Sequence, residues 1–158
     1  MGGVQEGTSR TGRVKLTRVI ASGVFDIIHP GHISYLQQAK SFGDELIVVI
    51  ASDNTVRRKK HEPITPDYMR ARIVENLKPV DRAIVGHDSG SIFDIVREIR
   101  PDVIVLGFDQ NFDDAELKRQ LEAEGLGNIE VKRATETADD LNATRRIVAK
   151  IREMGGSQ

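Results

Sequence analysis

The segment Glu45-Leu46-Ile47-Val48-Val49-Ile50-Ala51 is apolar without a break after its first residue and rich in β-branched side chains. A strand with one wet face alternates apolar and polar residues, so an unbroken apolar run of strand length needs cover on both faces. A parallel sheet flanked by helices supplies that cover. Shorter runs of the same kind stand at Val19 to Ala21, Ala83 to Val85, Asp102 to Leu106 and Ile129 to Lys132. Helix-period stretches separate them, such as Ile33, Leu36, Gln37, Ala39 and Lys40, or Ile92, Ile95, Val96 and Ile99 on one face. Five strands alternating with helices predict a single doubly wound, Rossmann-like α/β domain with a five-stranded parallel sheet.

Local signals set the expected boundaries. The first helix runs from about Gly31 to Ser41 and closes at Gly43 in the left-handed conformation that glycine accepts. Ser52 to Thr65 reads as a polar connection carrying Arg57-Arg58-Lys59-Lys60. Thr65 then caps a helix with Pro66 at its first position, ending near Leu77 ahead of Pro79. Helices follow at Ser91 to Arg100, at Asp113 to Glu124 with Gly125 as its cap, and at about Asn142 to Met154. Met1 to Lys15 has no period and reads as a disordered N-terminal arm or the remnant of an added tag, which leaves 16–158 as the domain.

The first strand leads into Gly23-Val24-Phe25-Asp26-Ile27-Ile28-His29-Pro30-Gly31-His32. This is a strand, a tight loop and a helix start at Pro30-Gly31. Such a start offers unpaired N–H groups and the positive end of the helix dipole, so it suits a phosphate. Gly23 and Gly31 allow the backbone to approach a ligand closely. His29 and His32, three residues apart, can supply positive charge and donors to a phosphate under attack. The rule that ligands bind beyond the carboxyl ends of parallel strands groups this loop with Ser52-Asp53, the 57 to 60 basic run and Phe108-Asp109-Gln110.

Several classes are disfavoured. No GxGxxG or GxxxxGK[ST] is present, against a dinucleotide oxidoreductase and a P-loop enzyme. With 23 Lys and Arg against 24 Asp and Glu, nothing points to bulk nucleic-acid binding. Cysteine is absent, and His61 and His87 lie in unrelated loops, so a dedicated metal cage is not expected. No membrane span or signal peptide is read, and a soluble cytoplasmic protein is expected.

The spelling Gly-x-Phe-Asp-x-x-His-x-Gly-His at 23–32 resembles the signature of the cytidylyltransferase-like nucleotidyltransferases. Arg70 followed by Glu75-Asn76-Leu77-Lys78-Pro79-Val80-Asp81 is similar to a second segment of that family. Gly107-Phe108-Asp109-Gln110, then Asn111-Phe112-Asp113, and Leu141-Asn142-Ala143-Thr144 look most like archaeal FAD synthases, which transfer AMP from ATP to FMN. Bacterial glycerol-3-phosphate cytidylyltransferases are the nearest rivals. Their Arg-Thr-x-Gly-Ile-Ser-Thr-Thr signature is replaced here by Arg133-Ala134-Thr135-Glu136-Thr137, a short insertion, and then 141–144.

The resemblance implies roles. Val24 and Phe25 would line the nucleotide site, His29, Pro30, Gly31 and His32 would hold its phosphates, and Asp109 would touch the nucleoside. Thr144 would grip the triphosphate at the last helix. Arg58, Lys59, Lys60 and Arg70 are candidates for the phosphates of either substrate. Phe25, Phe108 and Phe112 are the aromatic side chains placed to reach the site. A divalent cation, Mg²⁺, would be held mainly by the substrate phosphates and water. Transfer would be direct and in line, since a phosphate monoester with a second pKa of ~6 needs no general base. A homodimer is implied, as is common among related enzymes. The alternatives are a CTP-dependent cytidylyltransferase acting on glycerol 3-phosphate or a related phosphomonoester, and a non-catalytic nucleotide sensor.

Overall fold

The computed structural model describes residues 15–59, 61–136 and 143–156. Five strands are present: β1 (Arg18–Gly23), β2 (Glu45–Ile50), β3 (Arg82–Val85), β4 (Val103–Leu106) and β5 (Glu130–Arg133). Six helices accompany them: α1 (Pro30–Ser41), α2 (Asp53–Lys59), α3 (Asp67–Glu75), α4 (Ile92–Ile99), α5 (Asp114–Ala123) and α6 (Thr144–Gly155). The strands form one sheet in the order β3-β2-β1-β4-β5. All four neighbouring pairs are parallel.

The unbroken run in β2 is explained by the two cores. Leu46, Val48 and Ile50 face one side, where Leu36 and Ala39 of α1 and Val74 of α3 pack with Val19, Ala21, Val103 and Val105. Ile47 faces the other, with Ile20, Ile104, Leu106, Ile95 and Val96 of α4, and Leu117 and Leu121 of α5. Each fully buried Leu or Ile contributes roughly 1.5–3 kcal/mol relative to exposure. Strand order reverses between β1 and β4, so the crevice of this doubly wound sheet opens beyond their carboxyl ends.

Three local expectations are corrected. The stretch read as a polar connection contains a helix, α2, with Arg57, Arg58 and Lys59 in its last turn, where cations favour the helix dipole. Thr65 does not cap α3: Pro66 stands at the N-cap, and the Thr65 hydroxyl instead bonds Asp26. Gly43 does not adopt a positive φ, and the C-cap of α1 is Phe42 in a right-handed conformation. What requires glycine at 43 is space, since a Cβ there would stand 2.6 Å from Val19 Cγ2 and 2.7 Å from the Thr17 carbonyl oxygen. Gly125, by contrast, has φ 76° and ends α5 as expected. The expected helix start at Asn142 lies outside the described residues, as does the expected arm except for Lys15, which pairs with Asp102.

Candidate active site

A cavity of about 370 Å³ opens at the β1/β4 switch point. Its wall is the loop from β1 to α1, the loop after β4 and the first turn of α6. Pro30 occupies the first position of α1, where its missing N–H costs nothing, and His29 is the N-cap with extended backbone. The two histidines cap the helix reciprocally. Gly31 N–H donates to His29 Nδ1 at 3.1 Å, and His29 N–H donates to His32 Nδ1 at 3.3 Å. The rings stack with centroids 3.8 Å apart.

This arrangement fixes the tautomer. A ring nitrogen that accepts a hydrogen bond carries no proton, so both neutral imidazoles hold their hydrogen on Nε2. Burial lowers the His29 pKa, against a smaller opposing pull from Asp109. Burial, and then the neighbouring His29, push His32 down to about 3. Both rings line the cavity as neutral N–H donors. The sequence-based expectation that they bring positive charge is corrected, because protonating Nδ1 would set two N–H groups against each other.

Phe25 supports the pair. It is a buried residue with φ 54°, uncommon for a side chain of its size, and its ring lies 5.1 Å from that of His32 and 6.2 Å from that of Tyr35, stacked on the latter. A Cβ at Gly23 would come within 2.9 Å of the Phe25 ring. Glycine at 23 therefore makes room for Phe25.

Where β1 and β4 part, two side chains bridge them. Tyr35 Oη donates to the Val105 carbonyl at 2.6 Å and accepts from Ser22 N–H at 3.2 Å. Burial raises its pKa, so the donor is retained at all working pH values. Gln110 Nε2 donates to the Ser22 carbonyl at 2.9 Å, and its Oε1 accepts from Gly107 N–H at 2.8 Å. Asp26, also at the cavity, accepts from Ile64 N–H at 2.7 Å, from Thr65 N–H at 2.9 Å and from the Thr65 hydroxyl at 2.6 Å. Burial opposes its charge, but the Thr65 hydroxyl and these N–H groups outweigh it and lower its pKa.

The sequence candidates separate clearly. Val24, Phe25, His29, Gly31, His32, Asp109 and Thr144 line the cavity, while Pro30 shapes the helix start without lining it. Phe108 lines it and is 43% exposed; Phe112 does not line it. Arg58 and Lys59 lie away from the lining, Arg58 bonding the Asp88 carbonyl, and Lys60 falls outside the described residues. Arg70 is fully buried and does not reach the cavity. Its guanidinium donates to the carbonyls of Thr65 (2.8 Å), Val24 (2.8 Å) and Ala51 (2.9 Å) and to Asp53 (2.7 Å). All but one of its N–H donors are used, so it positions the loop after β1 from below.

Gln110 falls at the site as the sequence grouped it, whereas Tyr35, Arg133 and Arg145 were missed, and His61, read as lying in an unrelated loop, lines the cavity. Arg133, on the last residue of β5, donates to the carbonyls of Gly107 (2.8 Å) and Gln110 (3.0 Å) and to Asp114 (2.6 Å), tying down the loop that carries Asp109. Tyr35 lies three residues after His32, on the same helix face, and that spacing was a usable signal. Among the described residues no group of three or more His, Cys, Asp or Glu is placed to hold a metal ion. Both carboxylate oxygens of Asp26 already accept from donors of the protein itself.

Comparison with known proteins agrees with this geometry. The family model described as cytidylyltransferase-like matches residues 20–152. An FAD synthase of Aciduliprofundum boonei is 48% identical over 137 residues, 86% of this chain and 91% of its own length. An FAD synthase of Thermoplasma acidophilum is 46% identical over 143 residues, 90% of this chain and 99% of its own. A crystal structure described as the lipopolysaccharide core biosynthesis protein from Thermoplasma volcanium superposes with a TM-score of 0.75 at 44% identity, over 78% of this chain and 99% of that one. A switch-point crevice, a helix start capped by two imidazoles and the match over residues 20–152 lead to one assignment: the chain belongs to the cytidylyltransferase-like family.

Proposed function

We infer that the chain is an FMN adenylyltransferase: ATP and FMN give FAD and pyrophosphate. Relatives named FAD synthase, at 42–48% identity over most of the chain, support the substrates. The observation that carries the chemistry is the pair of Nε2–H donors held at the start of α1 by their own helix cap.

An FMN phosphate oxygen attacks the α-phosphorus of ATP. A new P–O bond forms as the bond to the bridging α,β oxygen breaks, and its electron pair leaves with pyrophosphate. The acceptor phosphate is already ionised near neutral pH, because its second pKa is ~6, and no base is needed. Charge grows on the equatorial oxygens of the α-phosphate and on the leaving group. His29 and His32 stabilise it as neutral, fixed hydrogen-bond donors, assisted by the open N–H groups and dipole of α1. Their caps hold them in place, so little reorganisation accompanies the reaction. A divalent cation, which we take to be Mg²⁺, would be held mainly by the substrate phosphates and water and would supply charge neutralisation to the pyrophosphate.

Val24 and Phe25 shape the nucleotide side, Asp109 bonds the nucleoside, and Thr144 meets the phosphates from α6. Phe108, half exposed at the rim, offers an aromatic face to the isoalloxazine ring. On this reading the enzyme works in the cytoplasm and as a homodimer, which light scattering on the purified chain would read as twice the chain mass. Incubation of FMN with ATP or CTP, followed by chromatography, tests the reading: FAD forms with ATP. Cytidylyl transfer to glycerol 3-phosphate without FAD would overturn it, and tight nucleotide binding with no pyrophosphate release would indicate a sensor.

A further inference from the structure

Four aromatic rings run in one column from the sheet to the site. Tyr35 stacks on Phe25 with ring centroids 6.2 Å apart and planes 4° off parallel, Phe25 lies 5.1 Å from His32, and His32 stacks on His29 at 3.8 Å. One end of the column is tied to the start of α1, where His29 accepts from Gly31 N–H. The other end, the Tyr35 hydroxyl, reaches into the sheet. Phe25 in the middle is buried at φ 54°. A bulky side chain keeps such a conformation where its surroundings over-determine it, and here those are the rings on either side and the space left at Gly23.

The sheet divides where the Tyr35 hydroxyl enters it. The β1/β4 ladder runs from Val19↔Val103 to Ala21↔Val105, whereas on the β2 side β1 stays paired through Gly23↔Ile50. Side chains take over where that ladder stops. The Ser22 N–H and the Val105 carbonyl, one from each strand, both go to Tyr35 Oη, and the Ser22 carbonyl takes Gln110 Nε2. The hydroxyl therefore stands between the strands as a spacer and satisfies a donor on one and an acceptor on the other. Ser22, Gly23, Tyr35 and Gly107, all at this gap, line the cavity.

We propose that Tyr35 is a positioning residue for the transfer step: its hydroxyl sets the width of the β1/β4 gap, and its ring, through Phe25, sets where the Nε2–H of His32 points. The proposal rests on the adenylyl-transfer reading for the role of the two imidazoles. Tyr35 itself touches no reacting atom. A fixed donor stabilises the developing charge at hydrogen-bond distance, and a misplacement of ~1 Å can cost about a hundredfold in rate.

Tyr35→Phe keeps the ring and removes the hydroxyl. It is expected to lower kcat by about ten- to a hundredfold with KM for ATP and for FMN nearly unchanged, as for an interaction felt in the transition state. Tyr35→Leu, which also removes the ring, should lower kcat further. A double-mutant cycle separates positioning from stability: added to His32→Ala, Tyr35→Phe should cost almost nothing more, because the ring it aims is gone. A merely structural role would lower the melting temperature and leave kcat per folded molecule as it was. Normal kcat in Tyr35→Phe, or a loss that adds in full to that of His32→Ala, would overturn the proposal. The ¹⁵N signals of His32 in the free protein give a second readout, expected to shift in Tyr35→Phe; unchanged signals would count against the column. Should Tyr35→Phe fold poorly, Phe25→Leu, which breaks the column at its middle, takes its place in the cycle. An unaltered protein that turned over no triphosphate would instead count against the adenylyl-transfer reading, and the His32 signals would still decide the role of Tyr35.

Discussion

At the scale of single residues, the two histidines are tuned by what their Nδ1 atoms accept. Replacing either His29 or His32 by Ala removes one fixed donor and is expected to lower kcat by about a hundred- to a thousandfold at saturating substrate. Near-normal turnover of His32→Ala would contradict that role. The tautomer gives a second prediction: ¹⁵N NMR of the free protein should show His32 as the neutral Nε2–H form from pH 8 down to pH 5, because burial and His29 hold its pKa at about 3. A midpoint near the ordinary value of 6.5 would refute it. Which residues to suspect was readable from the 23–32 spelling. That they act neutral was not, because charge state depends on burial and on which ring nitrogen meets the backbone, and neither has a sequence signature. Arg70 shows the same limit from the other side: its place in the chain pointed to a phosphate, while its surroundings make it an internal clamp.

At the scale of elements, two arginines hold loops in place. Arg70 joins the end of β1, the end of β2 and the start of α3 through Val24, Ala51 and Thr65, with Asp53 as counter-ion. Arg70→Met would leave three carbonyls and a carboxylate without their donor, and should destabilise the fold by roughly 3–5 kcal/mol in urea unfolding. A stable variant with only a raised KM would mean that Arg70 serves a substrate instead. Arg133 does the same work for residues 107–114. Arg133→Leu should speed amide exchange in that loop and raise both KM values, whereas unchanged protection of those amides would show the loop to be held otherwise. Strands and most helices were legible because apolar period and Pro/Gly punctuation are local. The helix α2 was hidden because seven residues, Asp53 to Lys59, with four charges carry no clear apolar stripe; its burial rests on Thr55 and Val56 alone.

At the scale of the whole molecule, the site and the stability share their titrating groups. His32 has a folded pKa of about 3 against 6.5 in the unfolded chain. Between those values the unfolded state binds more protons, so stability is complete above pH 6.5 and declines as pH falls toward 3. Urea titrations at pH 7 and pH 5 should differ by up to about 2 kcal/mol from this group, and the difference should shrink in His32→Gln. Asp26, whose pKa is lowered below 3.8, adds a further loss only in stronger acid. No dependence on pH between 7 and 5 would contradict the buried neutral ring. The doubly wound sheet was readable from alternating apolar runs, and its switch point located the crevice before any side chain was placed. The most direct measurement is a one-pot competition, with ATP, CTP, FMN and glycerol 3-phosphate at equal concentration with Mg²⁺ and the products weighed by mass spectrometry. FAD as the dominant product with equimolar pyrophosphate is predicted; a cytidylylated glycerol phosphate in its place would contradict the account.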